Sequence, residues 1–345
     1  MKILAEIIDN SRVCSESHDA RAVIWLSVLE ELSRRGHKIY AMVKRGIELK
    51  NHPSFIKYDK SIDSEIDFYI GHCVYSKSKD RYKYFKNKKV PLVTYEAGWL
   101  YRSLLIDRNK LFGDSYYYNS IKDLINDGFD ENQAHEFRLS LIAQKKSKWP
   151  QNIVQDIPKI PYIFLPGQVL YDLSIVEYSP IGLKDFINGV IKFAKKNKLN
   201  VIYKPHPGAA DSELSQGKKE LQAFASVVKK NNKHFYIVNA NIYDLMQKSI
   251  FTACVNSGTM IDNFVTQTPV YACGKSIFST CGGIVHDEKL ELGLQRMLDK
   301  DYDFDKMKRQ QLKLLWWLKN TLMQEHLSVE DNIRRLEYHT GVSFE

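Results

Sequence analysis

Cysteine is scarce in this sequence, and its spacing does not suit metal binding. The chain has five cysteines, an odd number, and none of them belongs to a Cys-x-x-Cys pair. Structural zinc sites and disulfide frameworks use paired cysteines at short, regular spacings. We therefore expect neither kind of site, and we predict a reducing, cytoplasmic location because disulfides are rare there.

Long hydrophobic runs are also missing. No stretch approaches the roughly 20 apolar residues that a membrane-spanning helix needs. The first nine residues, Met1 to Asp9, are too short and too charged for a signal peptide, and we predict a strand there instead. The chain is nevertheless 44% hydrophobic over 345 residues, which is ample for the cores of two domains.

Sequence motifs for the common cofactors are absent as well. There is no Gly-x-Gly-x-x-Gly, no Gly-x-x-x-x-Gly-Lys-Ser/Thr and no His-Glu-x-x-His. The alternating acids from Asp299 to Asp305 lack the glycine of a calcium loop, so we interpret them as a cap between helices. The net charge of +9 is spread along the chain without a nucleic-acid-binding motif. We therefore expect no metal, no other cofactor and no nucleic acid partner.

Strands and helices alternate along the chain, which is typical of an α/β fold. The first helix is predicted from about Asp19 to Arg35, where apolar residues recur with a helical period before Gly36. This order favours parallel strands joined by right-handed crossovers. We predict two Rossmann-like domains facing a central cleft. Their bounds are residues 1–155 and 156–320, with a proline-punctuated boundary, and a C-terminal helix within 321–345 packs back on the first domain.

Polar residues follow the buried strand that we predict at Tyr162–Leu165. A Pro-Gly pair breaks this strand, and Gln168, Asp172 and Ser174 come next among apolar neighbours. In open α/β sheets, ligands bind just past the carboxyl ends of the strands. We interpret the three side chains as a candidate site. The alternative, a turn in which the aspartate caps a helix, stays open.

Three further polar clusters follow other predicted strands. Glu96 ends one strand, and Lys204-Pro-His206-Pro, stiffened by its prolines, presents a cation and an imidazole to an anion. The Asn-Ser-Gly-Thr sequence at 256–259 opens a helix, where backbone N–H groups bind anions. Caps and turns are the structural alternatives. Because the carboxyl ends of parallel strands share one edge, we expect all four clusters to face one cleft.

The order and spacing of these residues resemble the bacterial capsule polysaccharide biosynthesis proteins, and within them the retaining β-Kdo transferases (Kdo is 3-deoxy-D-manno-oct-2-ulosonic acid). The similarity extends over roughly residues 90–280, well over half of the chain. It is carried by Glu96-x-Gly-Trp99-Leu-x-Arg102, Asp107, Gly113-Asp-x-Tyr-Tyr, Pro166-Gly-Gln-Val-x-x-Asp172-x-Ser174, Lys204-Pro-His206-Pro, Asn256-Ser, Pro269, Gly274 and Phe278.

The resemblance implies a GT-B-like glycosyltransferase that moves Kdo from CMP-β-Kdo to a hydroxyl of a glycan or glycolipid acceptor in capsule or O-antigen biosynthesis. It implies double displacement with retention, Asp172 being the nucleophile and Glu96 the general base for the acceptor hydroxyl. It also implies that His206 and Lys204 stabilise the departing CMP phosphate or the sugar carboxylate. The implied donor-binding residues are Gln168, Ser174, Lys204, Asn256, Ser257, Gly258, Thr259 and Gly274, and the implied acceptor-side residues are Trp99 and Arg102.

Two alternative functions remain at this point. One is a GT-B transferase with another donor, such as CMP-sialic acid or a UDP-sugar. The other is a non-catalytic nucleotide-sugar-binding partner of capsule export. The apolar helix around Leu312–Leu318 is interpreted as packing across the domain interface. Its alternative role is peripheral contact with the inner face of the inner membrane.

Overall fold

The protein folds into two α/β units, each with its own sheet. The structure, a computed structural model, describes residues 1–8, 20–44, 49–72, 77–110, 112–145, 147–149, 156–170, 172–206 and 233–345. The first unit comprises Met1–Tyr117 and Leu318–Glu345, and the second comprises Tyr118–Trp317. Each unit has one sheet in which parallel pairing dominates, so the predicted fold class of two Rossmann-like α/β domains is confirmed.

The first unit is built on a seven-stranded sheet. Its strands are β1 (Lys2–Ile8), β2 (Lys38–Lys44), β3 (Phe55–Lys57), β4 (Phe68–His72), β5 (Leu92–Ala97), β6 (Ser103–Asp107) and β13 (Met323–Gln324). The spatial order is β13-β6-β5-β4-β1-β2-β3, and only the pairs that involve β6 are antiparallel. Its helices are α1 (Arg21–Arg34), α2 (Lys77–Asn87) and the C-terminal α11 (Val329–Thr340).

The second unit has a six-stranded sheet with parallel pairing throughout. Its strands are β7 (Tyr162–Pro166), β8 (Asn200–Lys204), β9 (Phe235–Ile237), β10 (Phe251–Cys254), β11 (Val270–Ala272) and β12 (Val285–His286). The order is β12-β11-β10-β7-β8-β9. The remaining α-helices in the described part of the chain are α3 (Tyr117–Leu124), α4 (Glu131–Gln144), α5 (Leu173–Tyr178), α6 (Leu183–Lys196), α7 (Ile242–Lys248), α8 (Met260–Thr266), α9 (Leu290–Asp299) and α10 (Phe304–Thr321). All six carboxyl ends therefore lie along one edge of this sheet.

Helix α6 illustrates how the apolar pattern builds the second core. The sequence predicts a helix over about 182–196 with an apolar face, and the residues of this face, Leu183, Phe186, Ile187, Val190 and Ala194, are each at most 3% exposed. These side chains join the central strands β7, β8 and β10 in one cluster. A helix with such a continuous apolar stripe is held mainly by burial against the sheet, which fixes the strand ends that it connects.

The division between the units differs from the predicted boundary near 155. Helix α4 lies before that boundary in the sequence but packs in the second unit, where Arg138 donates from Nη1 to the Val265 carbonyl at 3.1 Å. Pro158 and Pro161 mark the connection into β7. Residues 150–155 lie outside the described part of the chain. Proline interrupts helices and strands. Its position in the sequence therefore does not distinguish a connection between a helix and a strand from a boundary between two domains.

Five apolar residues of α10 are buried inside the protein, and Trp316 is half-buried. Leu312, Leu314, Leu315, Trp317 and Leu318 are at most 4% exposed. These five side chains therefore pack against protein and do not form a surface for a membrane. Among the helices that the structure describes, none is long and apolar enough to cross a membrane. The sequence also predicts a helix near 217–230, and that range lies outside the described residues.

A buried histidine in α11 should make the stability of the protein fall in mild acid. His339 donates from Nε2 to the Thr321 carbonyl at 2.8 Å and accepts from the Tyr117 hydroxyl at Nδ1. Burial lowers the pKa of His339 to about 4. The unfolded chain takes up this proton near pH 6.5, so the free energy of unfolding should decrease by up to about 3 kcal/mol between pH 6.5 and pH 4.

The His339→Gln variant isolates this contribution, because glutamine keeps one donor and one acceptor. Chemical denaturation at several pH values should show a flatter profile for the variant than for the wild type. Asp107, whose pKa burial raises to about 6, titrates in the opposite sense and is present in both proteins, so it cancels in the comparison. The His234→Gln variant, at a partly exposed histidine, is the control. Parallel profiles for wild type and His339→Gln would contradict the assignment.

Candidate functional site

The loops after β7 and β8 are in direct contact at the carboxyl edge of the second sheet. The Gly167 N–H donates to the Lys204 carbonyl at 2.7 Å. A Cβ atom on Gly167 would lie 2.4 Å from the His206 nitrogen and 2.8 Å from the Lys204 oxygen, and backbone atoms cannot give way as a side chain can. Only glycine fits here. The Pro-Gly break therefore holds the Lys-Pro-His loop against the segment that leads to Asp172.

Asp172 caps helix α5, as the structural alternative proposed. Its Oδ1 accepts a hydrogen bond from the Ser174 N–H at 2.8 Å. This bond occupies one carboxylate oxygen, and Oδ2 has no hydrogen-bond partner among the described residues. The side chain is half-buried. A cap that fixes one oxygen and leaves the other uncommitted is compatible with a nucleophilic carboxylate, so the two interpretations do not exclude each other.

Asn256 is the centre of a buried hydrogen-bond network that includes two other predicted site residues. Its Oδ1 accepts from Ser174 Oγ at 3.2 Å and from Gln168 Nε2 at 3.4 Å, and its Nδ2 donates to the Ser174 carbonyl at 2.6 Å. Gln168 Oε1 accepts from the Val255 N–H at 3.0 Å. The structure thus brings these residues together, as expected. They largely satisfy one another, and their immediate effect is to hold the Asp172 loop against the end of β10.

Gly274 packs closely on the same network. Its N–H donates to the Val255 carbonyl at 2.7 Å. A Cβ atom at this position would lie 3.1 Å from the Val255 oxygen and 3.2 Å from Asn256 Nδ2. The next residue, Lys275, donates its N–H to the Tyr178 carbonyl at the end of α5. The predicted donor-binding glycine therefore lets the loop after β11 approach α5 and the asparagine.

The 256–259 turn leads into α8, which has seven residues. Ser257 is buried, Gly258 is exposed, and Thr259 Oγ1 donates to Ser257 Oγ at 2.9 Å. A helix this short contributes little dipole, so an anion here would rely on individual N–H and hydroxyl groups. Phosphate binding by this turn stays a prediction.

Lys204 is buried at the end of β8, and its ammonium group is bound within the protein. Nζ donates to the Ala240 carbonyl at 2.7 Å and to Asn239 Oδ1 at 3.0 Å. Burial lowers the pKa of Lys204 to about 8, partly offset by the charge of Asp262. The lysine therefore secures the loop after β9. The predicted contact with a phosphate would have to compete with these two bonds.

His206 is a neutral group at physiological pH. Burial, followed by the positive charge of Lys148, lowers the pKa of His206 to about 4. Its ring meets the edge of the Trp149 ring, with 5.4 Å between centroids. The imidazole can therefore donate a hydrogen bond to a phosphate or carboxylate, but it does not supply a positive charge.

Asp262 is a buried carboxyl group near Lys204 and Lys148. The sequence interpretation missed it. Burial raises the pKa of Asp262 to about 7, while a hydrogen bond from Ser147 and the charges of Lys204 and Lys148 act in the opposite direction. The sequence signal for it is an acidic residue among the apolar residues of α8. In the structure all residues of this helix are buried. Buried acids of this kind occur often at functional sites.

In the first unit, Glu96 at the end of β5 forms an ion pair with Arg21 from α1. Its Oε1 also accepts from the Ala97 N–H at 2.8 Å, and its Oε2 lies 3.5 Å from His72 Nε2. Burial alone would raise the pKa of Glu96, but Arg21 and His72 outweigh it and hold the pKa well below its usual range. Neither partner was identified from the sequence, because both lie far from Glu96 along the chain.

The two predicted acceptor-side residues lie just beyond Glu96. Arg102 forms a bidentate ion pair with Glu325, with Nη2 and Oε1 2.6 Å apart, and Trp99 is half-buried. The ion pair connects the β5–β6 loop to Glu325, the residue after β13. Arg102 therefore has a structural role. Contact of either residue with an acceptor stays a prediction. Within the described residues, no group of three metal-binding side chains is placed to hold a metal ion.

Comparison with solved structures finds the same fold in a bacterial enzyme. The chain is similar to "Thermosulfurimonas dismutans KpsC, beta Kdo 2,4 transferase", with a TM-score of 0.58 and 14% identity over 92% of this chain and 90% of that one. It is also similar to "Thermosulfurimonas dismutans KpsC, beta Kdo 2,7 transferase", with a TM-score of 0.48 and 14% identity over 86% and 89% of the two chains. No curated protein matches the sequence.

A family comparison covers most of the second unit. Residues 129–312 match the sequence profile described as capsule polysaccharide biosynthesis protein, which is more than half of the chain. This range includes Gln168, Asp172, His206, Asn256 and Gly274. The match confirms the resemblance drawn from the motifs: the chain belongs to the capsule polysaccharide biosynthesis protein family.

Proposed function

We propose that this protein is a retaining glycosyltransferase that moves Kdo from CMP-β-Kdo to a hydroxyl of a glycan or glycolipid acceptor. Family membership and a fold shared with a β-Kdo 2,4-transferase support a capsule glycosyltransferase. The observation that carries the mechanism is the uncommitted Oδ2 of Asp172 at the carboxyl edge of the second sheet. We place the reaction in capsule or O-antigen biosynthesis, in the cytoplasm at the inner face of the inner membrane.

In the first displacement, Asp172 Oδ2 attacks the anomeric carbon of Kdo. A C–O bond forms to the carboxylate as the bond to the CMP phosphate breaks, and CMP leaves with the bonding electrons. A phosphate ester is a stable anion, so this step needs no strong acid. Hydrogen bonds from neutral His206 and from groups at the 256–259 turn stabilise the charge that develops on the phosphate.

In the second displacement, the acceptor hydroxyl attacks the same carbon and the Asp172 carboxylate leaves. Each displacement inverts the anomeric carbon, so the product keeps the configuration of the donor. Glu96 accepts the hydroxyl proton as the new C–O bond forms. Its carboxylate stays ionised because Arg21 lowers its pKa, which makes it a reliable acceptor but a weak base. The proton therefore moves late, once the hydroxyl oxygen is bonded to the sugar.

The donor can be identified by release of nucleotide. The purified protein, supplied with CMP-Kdo made in situ and with a panel of capsule-type glycosides, should release CMP and form a glycoside of retained configuration. CMP-sialic acid and UDP-sugars are the comparison donors. Turnover with one of those and not with CMP-Kdo would replace the proposed donor, and binding of nucleotide sugars without any turnover would establish a binding protein instead.

A further inference from the structure

Residues 147–149, between α4 and β7, lie against the His206 loop and α8. Ser147 is buried and hydrogen-bonds the Asp262 carboxyl. Trp149 meets the His206 ring edge-on at 5.4 Å. Lys148 stands between these two anchors, and its positive charge acts on both His206 and Asp262. One contact before Lys148 and one after it thus hold this lysine beside the His206 loop, at the carboxyl edge of the sheet.

Lys204 and His206 offer little positive charge to an anion at this loop. The Lys204 ammonium already donates to Ala240 and Asn239, and the His206 ring is neutral. Lys148 is half-buried on a segment that precedes β7. A partly buried ammonium group binds a phosphate oxygen more strongly than an exposed one, because water screens the charge less.

We propose that Lys148 binds the phosphate group of the nucleotide donor beside His206, and that residues 147–149 form one wall of this phosphate site. The inference rests on the proposed function, because it assumes a CMP-linked donor. Asp262 does not oppose it strongly. Its carboxyl group takes up a proton readily near neutral pH, and a bound anion favours the protonated form.

Calorimetric titration with CMP and with cytidine separates phosphate recognition from base recognition. The Lys148→Gln variant should bind CMP at least about 10-fold more weakly than the wild type, since one charge-assisted hydrogen bond is lost, and should bind cytidine equally well. The Lys148→Arg variant should retain most of the CMP affinity. The Lys192→Gln variant, at an exposed lysine of α6, is the matched control and should bind like the wild type.

The outcomes distinguish this inference from the function on which it rests. Equal CMP affinity for wild type and Lys148→Gln would overturn the role of Lys148 and leave the transferase proposal intact. A parallel loss of cytidine binding would also overturn it, because the lysine would then shape the whole site. Failure of the wild type to bind CMP would overturn both proposals. Unchanged melting temperatures exclude unfolding as the cause.

Discussion

The Asp172→Asn variant should lose sugar transfer by about 10³-fold or more while remaining folded. Asparagine can still accept the hydrogen bond from the Ser174 N–H that the aspartate accepts at 2.8 Å, so the cap of α5 is kept. What is lost is the negatively charged oxygen that attacks the anomeric carbon. Initial rates of CMP release, with CMP affinity measured in parallel, should show lost turnover and preserved binding.

Two controls separate chemistry from helix capping. The Asp172→Ala variant removes both the cap and the nucleophile, so it should be as inactive as Asp172→Asn and slightly less stable. The Asp130→Ala variant removes a comparable cap from α4, whose Asp130 accepts from the Gln133 N–H, and should cost about 1 kcal/mol of stability without loss of transfer. Substantial turnover by Asp172→Asn would rule out this carboxylate as the nucleophile.

The Glu96→Gln variant should release one equivalent of CMP quickly and then turn over about 10²-fold more slowly than the wild type. The first displacement does not need Glu96, so the sugar still moves to Asp172. The second displacement slows because no carboxylate accepts the hydroxyl proton. We expect a rate loss near the lower limit of the range that is usual for removal of a general base, because Arg21 already lowers the basicity of Glu96. Rapid-quench measurement of CMP would resolve the burst.

Glu31→Gln is the matched control for this variant. Glu31 also pairs with an arginine in the first unit, its Oε1 lying 3.2 Å from Arg35 Nε, but the pair lies at the C-terminal end of α1 rather than at a strand end. Its variant should show normal kinetics. If Glu96→Gln lost the burst together with the steady-state rate, Glu96 would act before the first displacement, and its role as the acceptor base would be wrong.

The regular part of the fold was predictable because burial leaves a periodic pattern. The strand at Tyr162–Pro166 is a run of five apolar residues, and α6 shows its buried face every third or fourth position. The strands β12 and β13, of two residues each, are too short to leave such a pattern. β6 contains the apolar run Leu104–Ile106, but a run of three apolar residues does not distinguish a strand from a buried helix segment.

The candidate site was predictable to the extent that strand ends locate it. Gln168, Ser174 and Asn256 each follow a predicted strand, which predicts that they lie at the same edge of the sheet. In the structure hydrogen bonds connect them. Spacing along the chain could not reveal that Arg21 pairs with Glu96, since 75 residues separate them. Nor could it give charge states: His206 is neutral because of burial, which is a property of the folded chain.

The most direct test of the account is the intact mass of the Asp172→Cys variant after incubation with CMP-Kdo. A thiolate at this position should attack the same anomeric carbon and form a thioglycoside, which resists hydrolysis and accumulates. We predict a mass increase of one Kdo residue, located by peptide mapping at position 172 and absent from Asp172→Ala. No adduct in a folded protein that binds CMP, or an adduct at another residue, would contradict the proposed nucleophile.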